Sequence, residues 1–267
     1  RNAVVLDIGC NDGTLLKNYP ASFKKFGVDP SDVAQEVKGD ISVIQDIFPS
    51  AELSAKLAGE SLDVITSIAM FYDLEDPSAF VASIKEFLSK DGIWIFEMSY
   101  MPLMLEMNSY DTICHEHLEY YSFAVLENLL SRNGMTVFKV SFNDINGGSI
   151  RCYATHDDNF NFKNTLDAEL IAEVRKKEFD LKLDTDEPYG NFQTRINDHK
   201  QELLSLLKKL KLDGKRIHIY GASTKGNTIL QWCGIDSNLI DYAADRNPDK
   251  DGAKTIGSDI PIISEEK

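Results

Sequence analysis

The stretch that decides the fold is the opening run Ala3-Val4-Val5-Leu6-Asp7-Ile8-Gly9-Cys10-Asn11-Asp12-Gly13. Its first six residues are typical of a buried strand, and Thr14 to Tyr19 beyond it are helix-like. A glycine loop between a buried strand and a helix lets backbone groups approach a ligand at the carboxyl end of the strand. Because a domain rarely begins on its central strand, we expect the natural protein to have residues upstream of Arg1.

The residues after this loop alternate between strand and helix patterns, as in a parallel sheet. The predicted strands are 23–28, 41–45, 62–68 and 93–97, and helices are predicted from Ser31, over 51–57 and from Pro77. A turn at Asp91-Gly92 should separate the last helix from its strand. After a helix over 123–133, strands 135–142 and 149–154 should form an antiparallel hairpin on the sheet edge, because the residues between them have turn chemistry.

The composition and the predicted secondary structure change after residue 155. Residues 156–212 are polar, charged and helical, with one apolar stripe. A second small α/β unit follows, with a strand at Arg216 to Tyr220, a loop at Gly221 to Asn227, a helix from Thr228 and a strand ending before Asp245. The sequence therefore predicts an α/β protein with a Rossmann-like domain at 1–155, a helical connector at 156–212 and a small Rossmann-like C-terminal domain at 213–267.

Composition narrows the classes of function. The chain has 267 residues, 43% of them hydrophobic, which is enough for a substantial core, and no run long enough to span a membrane. A formal charge of -15 argues against nucleic acid as a partner, since neutralising phosphates requires a positive face. A small-molecule substrate or a nucleotide stays possible. The four cysteines show no paired spacing and so suggest neither a disulfide framework nor a zinc ribbon, which makes a reducing cytoplasm the expected location.

The opening loop favours one class of ligand. Gly9 and Gly13 do not form the dinucleotide fingerprint, and acidic Asp7 and Asp29 would repel a pyrophosphate while suiting a cationic ligand with ribose hydroxyls. S-adenosylmethionine has that profile. The run D-I-G-x-N-D-G resembles motif I of class I methyltransferases, and the expected cofactor-binding residues are Asp7, Gly9, Asn11, Gly13, Asp29, Asp46 and Ser67.

A second stretch also indicates a site. Asp111 to Ser122 contains two histidines and two carboxylates beside aromatic residues, and such groups are costly to bury together. The alternative is a hydrated loop leading into a helix that begins near Leu118. His115 and His117 could also ligate a metal, although no third ligand stands at a characteristic spacing, and we expect no metal.

This stretch and three others resemble the nucleotide-sugar C-methyltransferases over essentially the whole chain. The others are the hairpin Asn146 to Arg151, the loop Tyr220 to Asn227 and the run Asp245 to Gly252. The resemblance implies methylation of carbon 3 of a dTDP-linked 4-keto-deoxysugar, by removal of an α-proton and attack of the enolate on the donor methyl. It also implies an N-terminal zinc-binding segment in the family, which we expect this chain to lack, and a C-terminal domain that helps to hold the nucleotide sugar.

The same resemblance implies residue roles. His117 would be the base, with His115 and Glu116 in support, and a neutral imidazole suits that task. Implied substrate-binding residues are Tyr100, Asn146, Gly147, Arg151, Gly221, Lys225 and Asn227. The chain departs from many relatives at Cys114, where they have Tyr, and at Asp73, where they have His. The missing hydrogen-bond donor could come from Tyr72, Tyr100, Tyr120 or Tyr121.

Three other functions stay open at this point. An O- or N-methyltransferase of similar architecture is one. A nicotinamide-dinucleotide enzyme is another, because the loop at Gly221 to Gly226 and Asp245 form a conceivable dinucleotide-binding half. The third is a non-catalytic interaction module. The sequence leaves the oligomeric state, the sugar and its nucleotide undetermined.

Overall fold

The structure is a computed structural model that describes residues 2–162 and 167–267. It divides into two compact units. The first comprises the residues up to Pro102 together with Leu118–Leu181, and the second comprises Leu103–His117 and Lys182–Lys267. The division into three domains stays a prediction. The two units are not continuous in sequence, because residues 103–117 belong to the second unit although the residues on both sides of them belong to the first.

The first unit contains a seven-stranded sheet. Its strands are β1 Val4–Ile8, β2 Lys24–Val28, β3 Ile41–Ile44, β4 Leu62–Ile68, β5 Leu88–Ser99, β6 Met135–Asn143 and β7 Ser149–His156. The spatial order is β3-β2-β1-β4-β5-β7-β6, and only β7 runs antiparallel to its neighbours. All five residues of β1 are buried, as expected of a central parallel strand covered on both faces. The predicted Rossmann-like fold and the predicted edge hairpin are confirmed.

Helices lie between the strands of this sheet. The described helices up to residue 181 are α1 Thr14–Lys17, α2 Ala51–Leu57, α3 Pro77–Phe87, α4 Met101–Glu106, α5 Phe123–Arg132 and α6 Ala168–Leu181, with short 3-10 turns at Asp32–Glu36, Phe71–Asp73, Tyr110–Thr112 and Ile145–Gly147. Most of α4 and the turn at Tyr110–Thr112 belong to the second unit. Aromatic residues fill the core, and the rings of Trp94 and Phe96 stack with centroids 4.1 Å apart. Both are fully buried.

The predicted helix over 123–133 is confirmed. Helix α5 begins at Phe123, because the hydroxyl of Ser122 accepts the N–H of Val125 as a helix cap, and within the described residues no helix begins near Leu118, as the alternative interpretation of that stretch would require. The expected turn at Asp91-Gly92 is wrong. Strand β5 begins at Leu88 directly after α3, and it absorbs the extra residues through a register shift against β4.

Glu178 links helix α6 to the start of helix α5 and to Tyr100 in the first unit. Only 5% of this residue is exposed, and its carboxylate accepts the N–H groups of Phe123 and Ala124 and the hydroxyl of Tyr100. A carboxylate at the N-terminus of α5 satisfies amides that have no partner within the helix and interacts favourably with the helix dipole. The first part of the predicted connector therefore belongs to the first unit.

The second unit is built around a long helix. Helix α7 spans Glu187–Leu212, followed by β8 His218–Tyr220, α8 Thr224–Cys233, β9 Tyr242–Asp245 and β10 Ile262–Ser264. The three strands form a parallel sheet in the order β10-β9-β8, and β10 was not predicted. From the stripe on α7, Leu207 is buried in the core of this unit and Leu203 packs against it.

Helix α8 begins earlier than the sequence predicts. The hydroxyl of Ser223 accepts the N–H of Gly226, so the helix starts at Thr224 rather than Thr228. Lys225 and Gly226 therefore lie in the first helical turn instead of a loop. No helix within residues 2–162 and 167–267 combines the length and apolar composition that a membrane span needs; the cytoplasmic location stays a prediction.

Candidate active site

The opening glycine loop is tied to the end of strand β2. The N–H of Gly9 donates to the carbonyl of Val28 at 2.8 Å, and the N–H of Asn11 donates to the carboxylate of Asp29 at 2.9 Å. Positive φ angles of 74° at Gly9, 50° at Asn11 and 73° at Gly13 make this path possible. At Gly13 an added Cβ would lie 2.9 Å from a methyl of Val37, so only glycine fits there.

This loop is poorly suited to a pyrophosphate. Its N–H groups at Gly9, Cys10, Asn11 and Gly13 already donate within the protein. A phosphate-binding loop instead aims a run of such donors at its ligand. The neighbouring carboxylates give this edge of the sheet a negative charge, which fits a cationic ligand such as S-adenosylmethionine.

Asp29 lies at the expected place, just beyond β2, and is 8% exposed. Burial would raise the pKa of its carboxyl group, but donors on Ser31 and the N–H of Asn11 hold the pKa below its ordinary value. The carboxylate is therefore ionised at neutral pH. Among residues 2–162 and 167–267 its carboxylate accepts three hydrogen bonds. A carboxylate has about four acceptor sites, so part of this capacity is left for a hydroxyl of a ligand.

Asp7 lies beneath the loop instead of in it. It is 4% exposed, and its carboxyl group accepts the hydroxyl of Thr66 on the neighbouring strand. Burial, together with the charge of Asp29, raises the pKa of Asp7 to about 6, although the Thr66 bond acts in the opposite direction. This side chain is therefore enclosed in the fold, where it contacts β4.

The two remaining predicted cofactor residues lie in different settings. Asp46 is exposed just after β3, and its carboxylate accepts the N–H of Ile47 and the hydroxyl of Ser50, which lower its pKa. Ser67 is fully buried, and its hydroxyl accepts the indole N–H of Trp94 at 3.0 Å. A contact of Ser67 with a cofactor would have to use its backbone.

Several predicted substrate residues lie at the end of strand β5. The hairpin tip holds Asn146 and Gly147 with positive φ, and the carbonyl of Gly148 accepts the N–H of Tyr100. Arg151 on β7 faces Glu97 on β5 and contacts its carboxylate with two nitrogens, each at 2.7 Å. The charge of Arg151 is thus already balanced by a buried partner.

The four candidate tyrosines differ in burial and in the hydrogen bonds of their hydroxyl groups. Tyr100 is 2% exposed and donates its hydroxyl to Glu178. Tyr121 is 4% exposed, and its hydroxyl oxygen has no hydrogen-bond partner among residues 2–162 and 167–267. Tyr72 is buried and Tyr120 is half-buried.

The His-Glu-His run lies in the second unit. The segment that precedes this run is held in place by Tyr110. The hydroxyl of Tyr110 contacts His199 Nδ1 at 2.9 Å and the sulfur of Cys233 at 3.6 Å. The N–H of His117 donates to the carbonyl of Cys114, which closes a tight turn. This irregular backbone lets neighbouring residues of the run face different surroundings.

His117 is half-buried, whereas His115 and Glu116 are exposed. Burial, and next the positive charge of Lys225, lower the pKa of His117 below its ordinary value, although Glu116 acts in the opposite direction. The imidazole is therefore neutral at pH 7 and can accept a proton. Within the described residues, no cluster of three or more His, Cys, Asp or Glu could hold a metal ion.

The second glycine loop repeats the arrangement of the first. The N–H of Gly221 donates to the carbonyl of Ala244 at 2.6 Å, and the N–H of Ala222 donates to the carboxylate of Asp245 at 2.7 Å. N–H groups of Asn247 and Ala222, and then Lys250, hold the pKa of Asp245 at about 2. Lys250 lies 3.1 Å from this carboxylate, so its charge is balanced by a cation within the unit.

Comparison with known proteins gives the family. Residues 1–140 match the family described as a methyltransferase domain. The chain belongs to this methyltransferase family. Residues 144–267 match the C-methyltransferase C-terminal domain, which agrees with the predicted C-methyltransferase resemblance. S-adenosylmethionine is the cofactor that this family uses, so the predicted cofactor is confirmed.

One curated relative matches almost the whole chain. The C-methyltransferase NovU of Streptomyces niveus is 28% identical over 270 residues, which cover 99% of this chain and 63% of the relative. The chain thus spans less than two thirds of that protein's length.

Solved structures are more distant. The magnesium protoporphyrin IX methyltransferase of Synechocystis PCC 6803 is 15% identical over 58% of this chain and 74% of its own, with a TM-score of 0.46. A methyltransferase of Clostridium acetobutylicum ATCC 824 is 14% identical over 58% and 85%, with a TM-score of 0.44. Likenesses of this strength carry no argument about the activity.

Sequence reasoning missed two features of the sites. Glu178 lies in a charged helix and resembles its exposed neighbours, so nothing in the sequence marks it as the cap of α5. Trp232 and Ile256 line a cavity together with Cys114 and His115, although these three segments are far apart in the chain. Only the exposed position of an aromatic residue near the end of α8 could have drawn attention to Trp232.

We predict that Asp29→Ala weakens S-adenosylmethionine binding by about 1.5–3 kcal/mol, the range for losing hydrogen bonds to a charged group. Calorimetry measures the affinity. Ser31→Ala is the matched control, because it removes a donor to the same carboxylate without removing the acceptor, and it should change the affinity much less. Equal affinities of wild type and Asp29→Ala would contradict the placement of the ribose at Asp29.

Proposed function

We propose that the protein transfers a methyl group from S-adenosylmethionine to a carbon of a nucleotide-diphosphate-linked keto-deoxysugar. The observation that carries this proposal is the environment of His117, a half-buried imidazole whose pKa is lowered by burial and by Lys225. The match of residues 144–267 to the C-methyltransferase C-terminal domain supports the same reaction. The relative NovU is itself named a C-methyltransferase.

The first unit would hold the cofactor. Asp29 would accept the ribose hydroxyls, and the loop from Gly9 to Gly13 would face the amino-acid end, where Asp7 adds negative charge from below. Asp46 would lie beside the adenine, next to Ile47, whose side chain is 70% exposed. When bound, S-adenosylmethionine supplies an electrophilic methyl group.

The second unit would supply the base. Forming a carbon–carbon bond beside a ketone requires removal of a proton from the α-carbon, and this leaves an electron pair on that carbon to act as the nucleophile. A neutral imidazole is suited to accept the proton, and Glu116 adjoins His117 in a position to stabilise the imidazolium that forms. This requirement for a base favours transfer to carbon over transfer to oxygen or nitrogen of a substrate that is already nucleophilic.

Lys225 would bind the diphosphate of the substrate. It lies in the first turn of α8, where amides without helical partners and the positive end of the helix dipole favour anions. In a chain of net charge -15, a dianionic substrate needs such a local cation. Gly221 and Asn227, which flank this turn, would contact the same substrate.

The second unit offers little support for a nicotinamide dinucleotide. In that class, the acidic residue at the end of the second strand binds ribose hydroxyls. Here that residue is Asp245, which accepts as many hydrogen bonds as Asp29 but is paired with the cation Lys250. The loop Gly221 to Gly226 also lacks the full G-x-G-x-x-G fingerprint of that class. We therefore assign the second unit to the nucleotide sugar.

We predict that His117→Asn abolishes turnover of a nucleotide keto sugar and also the exchange of its α-proton with deuterated water. Asparagine keeps a polar side chain of similar size but cannot accept a proton at neutral pH. Mass spectrometry of the sugar measures both reactions in a panel of nucleotide keto sugars. Binding of S-adenosylmethionine should stay within a few-fold of wild type, and exchange at the wild-type rate would assign proton removal to another residue.

A second prediction concerns Lys225→Met. Loss of the positive charge should move the pKa of His117 up towards its ordinary value, so the fall in kcat/KM at acidic pH should shift to higher pH. Affinity for the nucleotide sugar should also fall, more at low salt than at high salt, because salt screens the wild-type interaction.

Nuclear magnetic resonance titration of His117 and calorimetry at two salt concentrations measure these effects. Lys208→Met, at an exposed position on α7, is the matched control of equal charge. An unchanged pKa of His117 together with unchanged low-salt affinity would remove Lys225 from the site.

A further inference from the structure

Tyr110 joins three elements of the second unit at one buried point. It lies in the 3-10 turn that precedes the His-Glu-His run, and only 5% of it is exposed. Its hydroxyl contacts Nδ1 of His199 on α7 at 2.9 Å and the sulfur of Cys233 on α8 at 3.6 Å. The rings of Tyr110 and His199 also meet edge to face, with centroids 5.6 Å apart. The proposed roles of His117 and Lys225 leave these three side chains without a function.

The turn that Tyr110 anchors leads directly to His117. The N–H of Ile113 donates to the carbonyl of Tyr110 at 3.0 Å. The N–H of Cys114 then donates to the carbonyl of Thr112 at 3.1 Å, and the N–H of His117 donates to the carbonyl of Cys114 at 3.2 Å. Because each short step of this backbone is bonded to the one before it, a displacement of the anchor is transmitted to the imidazole.

The surroundings of the imidazole depend on the same path. Burial and then the charge of Lys225 lower the pKa of His117. They outweigh the charge of Glu116, a hydrogen bond to the backbone of Thr112 and the charge of Asp111, which raise it. A backbone group that raises the pKa of a histidine is a carbonyl that accepts from the ring. One ring nitrogen of His117 therefore donates to Thr112, and the other is left to accept a proton.

Helix α8 carries both the anchor and the cation. Cys233 is the last residue of this helix and is 1% exposed, whereas Lys225 lies in its first turn. With a rise of 1.5 Å per residue, the two are about 12 Å apart along one helix axis. The contact of Tyr110 with Cys233 therefore fixes the segment relative to Lys225 as well as to α7.

We propose that Tyr110, through its contacts with His199 and Cys233, is a positioning residue that holds the imidazole of His117 in place for proton removal. The role of His117 as the base rests on the proposed function. Tyr110 acts through the backbone of its turn and takes no part in the reaction itself. Placement of this kind matters because a shift of about 1 Å in a catalytic group can cost about a hundredfold in rate.

The first test is Tyr110→Phe, which keeps the buried ring and removes the hydroxyl. The pKa of His117 should rise towards its ordinary value, because burial and Lys225 are the main causes that lower it. Exchange of the α-proton of a nucleotide keto sugar with deuterated water should slow by about tenfold to a hundredfold. The kcat should fall in parallel while KM stays within a few-fold of wild type. Nuclear magnetic resonance titration of His117 and mass spectrometry of the sugar measure these effects.

Tyr189→Phe is the matched control, because it removes a tyrosine hydroxyl that donates to the carbonyl of Leu183 elsewhere in the second unit. It should leave the pKa of His117 and the exchange rate at their wild-type values. A role of Tyr110 in stability alone would lower the melting temperature and leave both quantities unchanged.

The second test approaches the same contact from α7. His199→Leu removes the partner of the hydroxyl and should reproduce the effects of Tyr110→Phe. His199→Asn keeps a hydrogen-bonding atom near the position of Nδ1 and should retain most of the wild-type behaviour. If the two residues act as one unit, Tyr110→Phe combined with His199→Leu should be no slower than either single variant. This test stands even if Tyr110→Phe does not fold.

Failure of this inference differs from failure of the proposed function. A wild-type pKa of His117 or a wild-type exchange rate in folded Tyr110→Phe or His199→Leu overturns the positioning role, while loss of exchange in His117→Asn would leave the proposed function standing. Exchange at the wild-type rate in His117→Asn overturns the assignment of the base and the positioning role with it.

Discussion

The hydrogen bond from the N–H of Asn11 to the carboxylate of Asp29 is the constraint on which the first site depends. It fixes the loop after β1 to the end of β2, and it needs a left-handed residue at Asn11 and glycines on either side. The second unit uses the same device between Ala222 and Asp245. The two loops differ in charge, because Ser31 and Asn11 leave the charge of Asp29 in place while Lys250 balances that of Asp245. One fold motif thus provides a negative edge in the first unit and, with Lys225, a more positive one in the second.

Buried carboxylates also shape the first unit. Asp7 and Glu178 are both nearly inaccessible, and each is stabilised by a different means. Glu178 accepts two amides and a hydroxyl, which compensates for its burial. Asp7 has a raised pKa, so the folded state gains stability from its protonation, and this contribution falls as the pH rises from about 4 towards 6. The ionised carboxylate of Asp7 therefore destabilises the fold at neutral pH. Because this carboxylate lies directly below a loop that faces a ligand, its charge suits a role in binding a cationic ligand.

Much of the fold could be predicted because its signals are local. Buried strands, the glycine loop and the hairpin turn each occupy a short run, and β1, α2 and β4 follow the expected pattern closely. The predicted start of α8 was wrong because Gly226 suggested a loop. The cap at Ser223 and the packing of the helix decide the boundary instead. The place of residues 103–117 in the second unit depends on contacts such as Tyr110 with His199, which are 89 positions apart. Short sequence patterns do not reveal contacts between residues that are this far apart in the chain.

The central claim is that the methyl group is transferred to carbon. The most direct measurement incubates the protein with S-adenosylmethionine labelled with carbon-13 in its methyl group and with a nucleotide keto sugar, and then records the carbon spectrum of the purified product. The account predicts a labelled methyl group with the carbon chemical shift of a methyl bonded to carbon, at the position beside the ketone. A labelled methyl group bonded to oxygen or nitrogen would contradict it.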